Sequence, residues 1–145
     1  MEQRLRRRLV TRMEKDQFTQ EPIALVVDDE PLIRMDACDI ISDAGYRVIE
    51  ATTADQAFEY LQQHSGLHLV FTDVQMPGEM SGFGLAQQVA ARWPHISVVV
   101  ASGAAQPEPG QLPETARFIN KPFTADVVLD TLQQISALPD KPFEA

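Results

Sequence analysis

Four short apolar runs in this sequence are each followed by side chains able to do chemistry. Ile23-Ala24-Leu25-Val26-Val27 leads into Asp28, Asp29 and Glu30, and Leu69-Val70-Phe71-Thr72 leads into Asp73. The run from Ile96 to Ala101 leads into Ser102, and Phe118-Ile119 leads into Asn120, Lys121 and Pro122. If these runs are neighbouring strands of one sheet, their ends deliver carboxylates, a hydroxyl and an ammonium to a single rim. Two carboxylates about 4 Å apart repel by about 4 kcal/mol at an effective dielectric near 20. Three stay ionised together only with compensation, either a proton on one of them or a cation between them. The donors are hard oxygens with no paired His or Cys, which favours Mg²⁺ over zinc. Mg²⁺ takes one or two carboxylates, keeps waters and leaves a position for a phosphoryl oxygen.

The chemistry that suits such a rim is attack by a carboxylate on phosphorus, giving an acyl phosphate. This transfer depends on positioning and on neutralising the equatorial oxygens. Mg²⁺ takes one oxygen, Lys121 a second and the Ser102 hydroxyl a third. Asp73 stands alone at its strand end and is the natural nucleophile, while the Asp28-Asp29 pair is better placed to grip metal. Taken singly, each residue has a plainer explanation. An Asp pair after a strand commonly starts a turn or helix. Asp73, Ser102-Gly103 and Lys121-Pro122 are all ordinary loop sequences. Their joint occurrence at successive rim positions carries the inference.

The elements that must position these residues alternate along the chain. Buried strands are expected at 23–27, 47–51, 69–72, 96–101 and 118–119. Helices are expected over 31–44, over 53–64 with Thr53 and Gln56 as a capping box, and over 83–93 ahead of Pro94. A last helix is capped by Thr124 and ends before Pro139. Strands alternating with helices indicate an α/β, doubly wound, five-stranded parallel sheet of the flavodoxin-like type, with order 2-1-3-4-5. Gly103, Pro107, Pro109, Gly110 and Pro113 lie between the last two strands, so the fourth helix is expected to be absent or shortened. Residues 1–20 are expected to be a basic N-terminal extension, 21–138 the folded domain and 139–145 a tail.

These residues resemble the receiver domains of bacterial response regulators. The resemblance rests on Val26-Val27-Asp28-Asp29-Glu30-Pro31, Asp73-Val74-Gln75-Met76-Pro77, Ala101-Ser102-Gly103 and Asn120-Lys121-Pro122-Phe123, and covers about 22–138. It implies that Asp73 is the phosphoacceptor. Asp29 is then a direct metal ligand, Asp28 acts largely through water, and the Gln75 backbone carbonyl completes the protein's share of an Mg²⁺ site. It further implies that Ser102 is a switch hydroxyl, Phe118 a switch aromatic, Lys121 the phosphate-pairing lysine and the Lys121–Pro122 bond cis. In the family, the surface of helix four, strand five and helix five relays the phosphorylation state. The Pro-rich replacement of that helix here means the surface must be remodelled.

Net charge is −9; residues 1–20 hold six Lys/Arg against three acids, which leaves −12 for the rest. An acidic body argues against a nucleic-acid surface, which needs Lys and Arg against phosphates. No apolar run is long enough to span a membrane, and a single cysteine, Cys38, suits a reducing cytoplasm. The expected role is a stand-alone signalling switch of a two-component system. It would be phosphorylated by a sensor histidine kinase or phosphotransfer protein and read by protein contact, or act as a phosphate relay or sink. A monomer or weak dimer is expected. Two alternatives stand beside it. A Mg²⁺-dependent phosphohydrolase of the haloacid-dehalogenase type needs an Asp where Gln75 stands. A pseudo-receiver that only binds would have no use for the full acidic set and Lys121.

Overall fold

Runs of Val, Leu, Ile and Ala with no room for charge form strands covered on both faces, and five such runs pair here in parallel. The computed structural model describes residues 21–144. The strands are β1 (Ile23–Val27), β2 (Arg47–Ala51), β3 (Leu69–Asp73), β4 (Ser97–Ser102) and β5 (Arg117–Asn120), in the order β2-β1-β3-β4-β5. The helices are α1 (Pro31–Asp43), α2 (Ala54–Gln63), α3 (Gly82–Arg92) and α4 (Ala125–Glu144). The expected doubly wound order is the observed one. The basic extension expected at residues 1–20 lies outside the described residues.

Alternation along each strand sends side chains to two separate cores. Leu25, Val27, Val70, Val98 and Val100 pack with Ala57, Leu61, Leu85 and Val89 from α2 and α3. Ala24, Val26, Leu69, Phe71, Val99 and Ala101 pack with Ala37, Ile41, Val128 and Leu132 from α1 and α4. Every residue of β3 is buried, as a central strand requires. Cys38 packs against the second core, and burial, with a smaller push from Glu50, raises its thiol to a pKa of about 11. It is a protonated, unreactive packing residue at neutral pH.

Helix starts follow local chemistry. Pro31 opens α1. Thr53 accepts the Gln56 N–H at 3.0 Å, and Thr124 accepts the Val127 N–H at 3.2 Å. The Gln56 side chain returns to the Thr52 N–H at 2.7 Å, one residue before the position a standard capping box uses. Ser81 caps α3 through the Gly84 N–H at 3.1 Å, a cap the sequence reading missed. Between β4 and β5, residues 103–116 form turns and bends and no helix. The prolines remove amide donors, and glycine at Gly110 adopts φ +83°.

One expectation is corrected. α4 does not stop before Pro139 to leave a tail at 139–145; it runs to Glu144. Proline's fixed φ is itself close to helical, so the backbone continues past each proline at the loss of an N–H bond.

The register positions the site. Val27 pairs with Thr72, Asp73 with Ala101, and Ala101 with Ile119. Asp28 and Asp73 therefore leave the sheet at one level. Ser102 lies one residue further and Lys121 two. Immediately beyond Asp73 the chain turns into α3, where the Gly82 N–H donates to the Val74 carbonyl at 2.9 Å. A Cβ at Gly82 would collide with the Asp73 carbonyl and would sit 2.8 Å from the Val74 Cα. Both obstacles are backbone. Gly82→Ala should therefore destabilise the fold by about 2 kcal/mol or more in urea denaturation, a loss characteristic of forced backbone displacement. Gly66→Ala, where nothing lies within 4 Å, should change stability by less than about 0.5 kcal/mol.

Candidate functional site

Asp28, Asp29 and Asp73 each place a carboxylate oxygen within 4.8 Å of the others. Asp28 and Asp73 are buried and Asp29 is exposed, so the cluster is walled on the sheet side and open to solvent on the other. Lys121 reaches across from the end of β5. Its ammonium donates to Asp28 Oδ2 at 2.9 Å and lies 3.1 Å from Asp73 Oδ1. The Lys121–Pro122 peptide bond is cis. The Lys121 N–H donates to the Ser102 carbonyl at 2.9 Å, tying the ends of β4 and β5 together.

The two buried carboxylates are oriented by backbone. Asp28 Oδ1 accepts the Glu30 N–H at 2.9 Å, which turns the chain into α1. Asp73 Oδ1 accepts the Val74 N–H at 2.7 Å. Asp73 Oδ2 has no hydrogen-bond partner among the described residues. No buried side-chain oxygen or nitrogen is left unpaired there, so Oδ2 faces solvent. It is the oxygen open to an incoming electrophile.

Burial raises the Asp73 pKa, and the hydrogen bond and charge of Lys121 only partly offset this; Asp28 adds to the rise. Burial alone would lower Lys121, but its hydrogen bonds to Asp28 and Asp73 outweigh it and hold the pKa above the usual lysine value. The two shifts are consistent because one ammonium is divided between two carboxylates. The lysine is strongly held as a cation, while Asp73 remains under-compensated.

The donor set fits a hard divalent cation. Oxygens of ligands at about 2.1 Å around Mg²⁺ lie roughly 3–4 Å from one another, the spacing this cluster can reach. Lys121 already shows that the pocket accepts positive charge between Asp28 and Asp73.

Ser102 is buried at the same rim but does not point its bonding at the carboxylates. Its Oγ accepts the Ala104 and Ala105 N–H groups at 3.3 and 3.0 Å. Phe118 is half-buried and stacks on Phe83, centroids 6.4 Å apart. Gln75 lies exposed two residues beyond Asp73 on the β3–α3 connection. The rim thus gathers Asp28, Asp29, Asp73 and Lys121 in direct reach, with Ser102 engaged in its own loop.

The sequence reading missed three supports. Arg34, on α1, donates to the Asp28 carbonyl at 2.8 Å and to Glu50 at 2.8 Å, fixing the β1–α1 turn against β2. Thr72 Oγ1 donates to the Asp73 carbonyl at 2.8 Å. Asp55, in the first turn of α2, accepts the Glu79 N–H at 2.9 Å and holds the loop that follows Gln75. Glycine is required at Gly78 beside it, with φ +110° and the Asp55 carboxylate where a Cβ would lie. Only Arg34 had a legible signal, a lone cation one turn into an otherwise acidic and apolar helix. His64, His68 and His95 make local contacts with Tyr60, Ile23 and Ser65 and take no part in the rim.

The Asp73 shift fixes a pH dependence. A carboxyl with a raised folded pKa favours the fold only while protonated. That contribution is complete below the unfolded value and is lost as pH rises through the folded one. In chelator-treated protein at pH 7, Asp73→Asn should therefore raise Tm by about 2–6 °C, the change that about 1 kcal/mol makes in a domain of this size. The gain should vanish below about pH 4, where the wild-type carboxyl is itself neutral. Equal melting temperatures across that range would show that the cluster is not electrostatically strained.

Comparison with known proteins agrees with this geometry. Residues 24–133 match the response regulator receiver domain. The chain is 32% identical over 118 residues to chemotaxis protein CheY of Thermotoga maritima, an alignment covering 77% of this chain and 95% of that protein. It is 31% identical over 115 residues to sensor kinase CckA of Brucella abortus, of which it spans 12%. A response regulator receiver protein from Sinorhizobium medicae shares the fold at a TM-score of 0.74 and 24% identity, covering 79% of this chain and 93% of that one. Phosphorylation-dependent switching in two-component signalling is the general function of the family. With its β2-β1-β3-β4-β5 sheet and acidic rim, this chain belongs to the response regulator receiver domains.

Proposed function

We propose that this chain is a two-component signalling switch in which Asp73 accepts a phosphoryl group from a sensor histidine kinase or a histidine phosphotransfer protein. The observation that carries this is the position of Asp73, with one oxygen 3.1 Å from the Lys121 ammonium and the other facing solvent beside Asp28 and Asp29. Asp73 attacks the phosphorus, the P–N bond to the donor imidazole breaks, and the imidazole leaves with the electron pair. Mg²⁺ held by Asp28, Asp29, Asp73 and the Gln75 backbone carbonyl would neutralise phosphoryl oxygens as they approach. Lys121 stays charged throughout and passes from the Asp73 carboxylate to a phosphoryl oxygen.

Ser102 then turns. Its hydroxyl leaves the Ala104 and Ala105 N–H groups and donates to the phosphoryl group. Phe118 is the aromatic that follows this change, since it stacks on Phe83 close by. The signal is read in the cytoplasm by protein contact, or the phosphoryl group is passed on in a relay or sink. The only chemistry catalysed is the chain's own phosphorylation and dephosphorylation.

Incubation with Mg²⁺ and acetyl phosphate should give a single phosphoryl adduct by intact mass. The adduct should disappear with chelator and in Asp73→Asn. Its absence in the wild type, or its persistence in Asp73→Asn, overturns the proposal. Lys121→Ala should slow adduct formation by about a hundredfold, the usual cost of losing one group that stabilises developing oxyanion charge. Ser102→Ala should still form the adduct. Its Ala104 and Ala105 amide resonances should no longer respond to phosphorylation.

A further inference from the structure

Residues 103–116, which form turns and bends between β4 and β5, border a groove. It has a volume of about 510 Å³ and lies between the 74–83 connection and the 105–111 segment. Met76, Met80 and Phe83 give it apolar surface, and Glu79 and Glu108 line it with carboxylates. Neither glutamate makes an ion pair among the described residues.

Both walls are anchored at the phosphoacceptor rim. One wall is the chain that leaves Asp73 directly, and Asp55 holds its far part. The other contains Ala105, whose N–H is held by Ser102 Oγ. It also contains Gln106, whose side-chain amide donates to Asn120 Oδ1 at 2.9 Å, next to Lys121. Gln87 on α3 ties down the same segment, donating to the Gly110 and Gln111 carbonyls at 3.1 and 2.7 Å. Phe83, within the groove, stacks on Phe118. A change in Ser102, Asn120 or Phe118 therefore alters the groove directly.

We infer that this groove is the output site of the chain, and that its occupant is a partner segment carrying a large apolar side chain flanked by Lys or Arg. The apolar side chain meets Met76, Met80 and Phe83, and the cations meet Glu79 and Glu108. The inference rests on Asp73 being the phosphoacceptor. Phosphorylation draws Ser102 away from Ala105 and changes the affinity of the groove.

The full chain can be titrated with three blocked tetrapeptides, Arg-Leu-Phe-Arg, Glu-Leu-Phe-Glu and Arg-Gly-Gly-Arg, while amide resonances are followed by NMR. Only the first should shift groove resonances at 75–83 and 105–111. Addition of Mg²⁺ and beryllofluoride, a phosphoryl mimic, should change its affinity by about fivefold or more, an ordinary coupling between two sites. Glu79→Gln with Glu108→Gln should weaken it and remove its salt dependence. Gln111→Trp, which fills the groove from an exposed lining position, should abolish it without loss of the Asp73 adduct. Equal response to all three peptides, shifts elsewhere, or equal affinity in both states overturns the inference. So does movement of groove resonances on deletion of residues 1–20 or on dilution, which would make the occupant this chain itself. Intact mass on the same sample separates the two failures. An adduct with an unresponsive groove removes the output site alone, and no adduct removes the phosphoacceptor on which it rests.

Discussion

Like charges packed against a low-dielectric wall repel far more strongly than the same charges in water, and this fold places two buried aspartates and one exposed aspartate within such a distance. Among the described residues one ammonium reaches them directly, and it is divided between Asp28 and Asp73. The rest of the site follows from that shortage of positive charge. Asp73 is left with a raised pKa and one oxygen in solvent, a group that gains from a cation and from an electrophile that removes its charge. The same shortage keeps Lys121 protonated and therefore available to any new anion at the rim.

Holding charges in an unfavourable arrangement needs a scaffold that does not yield. Two apolar cores clamp the sheet from both faces, so the strand ends cannot drift apart. Local devices then fix the turns. Arg34 ties the β1–α1 turn to β2, Thr72 holds the Asp73 carbonyl, and Gly82 lets α3 start against the Asp73 backbone with no side chain between them. Close packing is concentrated behind the carboxylates, and the loops in front of them are largely exposed.

The connection between β4 and β5 is the part of the molecule that departs most from regular structure. A helix there would satisfy its own backbone. Three prolines together with Gly103 and Gly110 disfavour this, and the segment borrows partners instead: Ser102 for Ala104 and Ala105, Asn120 for Gln106, and Gln87 for the carbonyls of Gly110 and Gln111. These are bonds to the rim and to α3, so a change at the rim reaches this segment without passing through a rigid element.

Strand and helix positions were legible in the sequence because apolar runs, caps and breakers act locally, and all five strands fall within a residue or so of where the runs place them. So was the meeting of Asp28, Asp29, Asp73 and Lys121, since each follows a strand and parallel order sends every such end to one edge. The last helix was misjudged because proline disfavours helix only by degree. Sequence alone determined which residues stand at the rim and that the Pro-rich stretch 103–113 would leave the fourth helix absent or shortened. The tertiary structure decided what each residue does there. It set which oxygen of Asp73 Lys121 approaches and which is open, that the Ser102 hydroxyl serves its own loop, and that Asp55 and Gln87 hold segments far from them in the chain. Those outcomes depend on distances between elements separated by tens of residues, which local propensity does not encode and packing alone fixes.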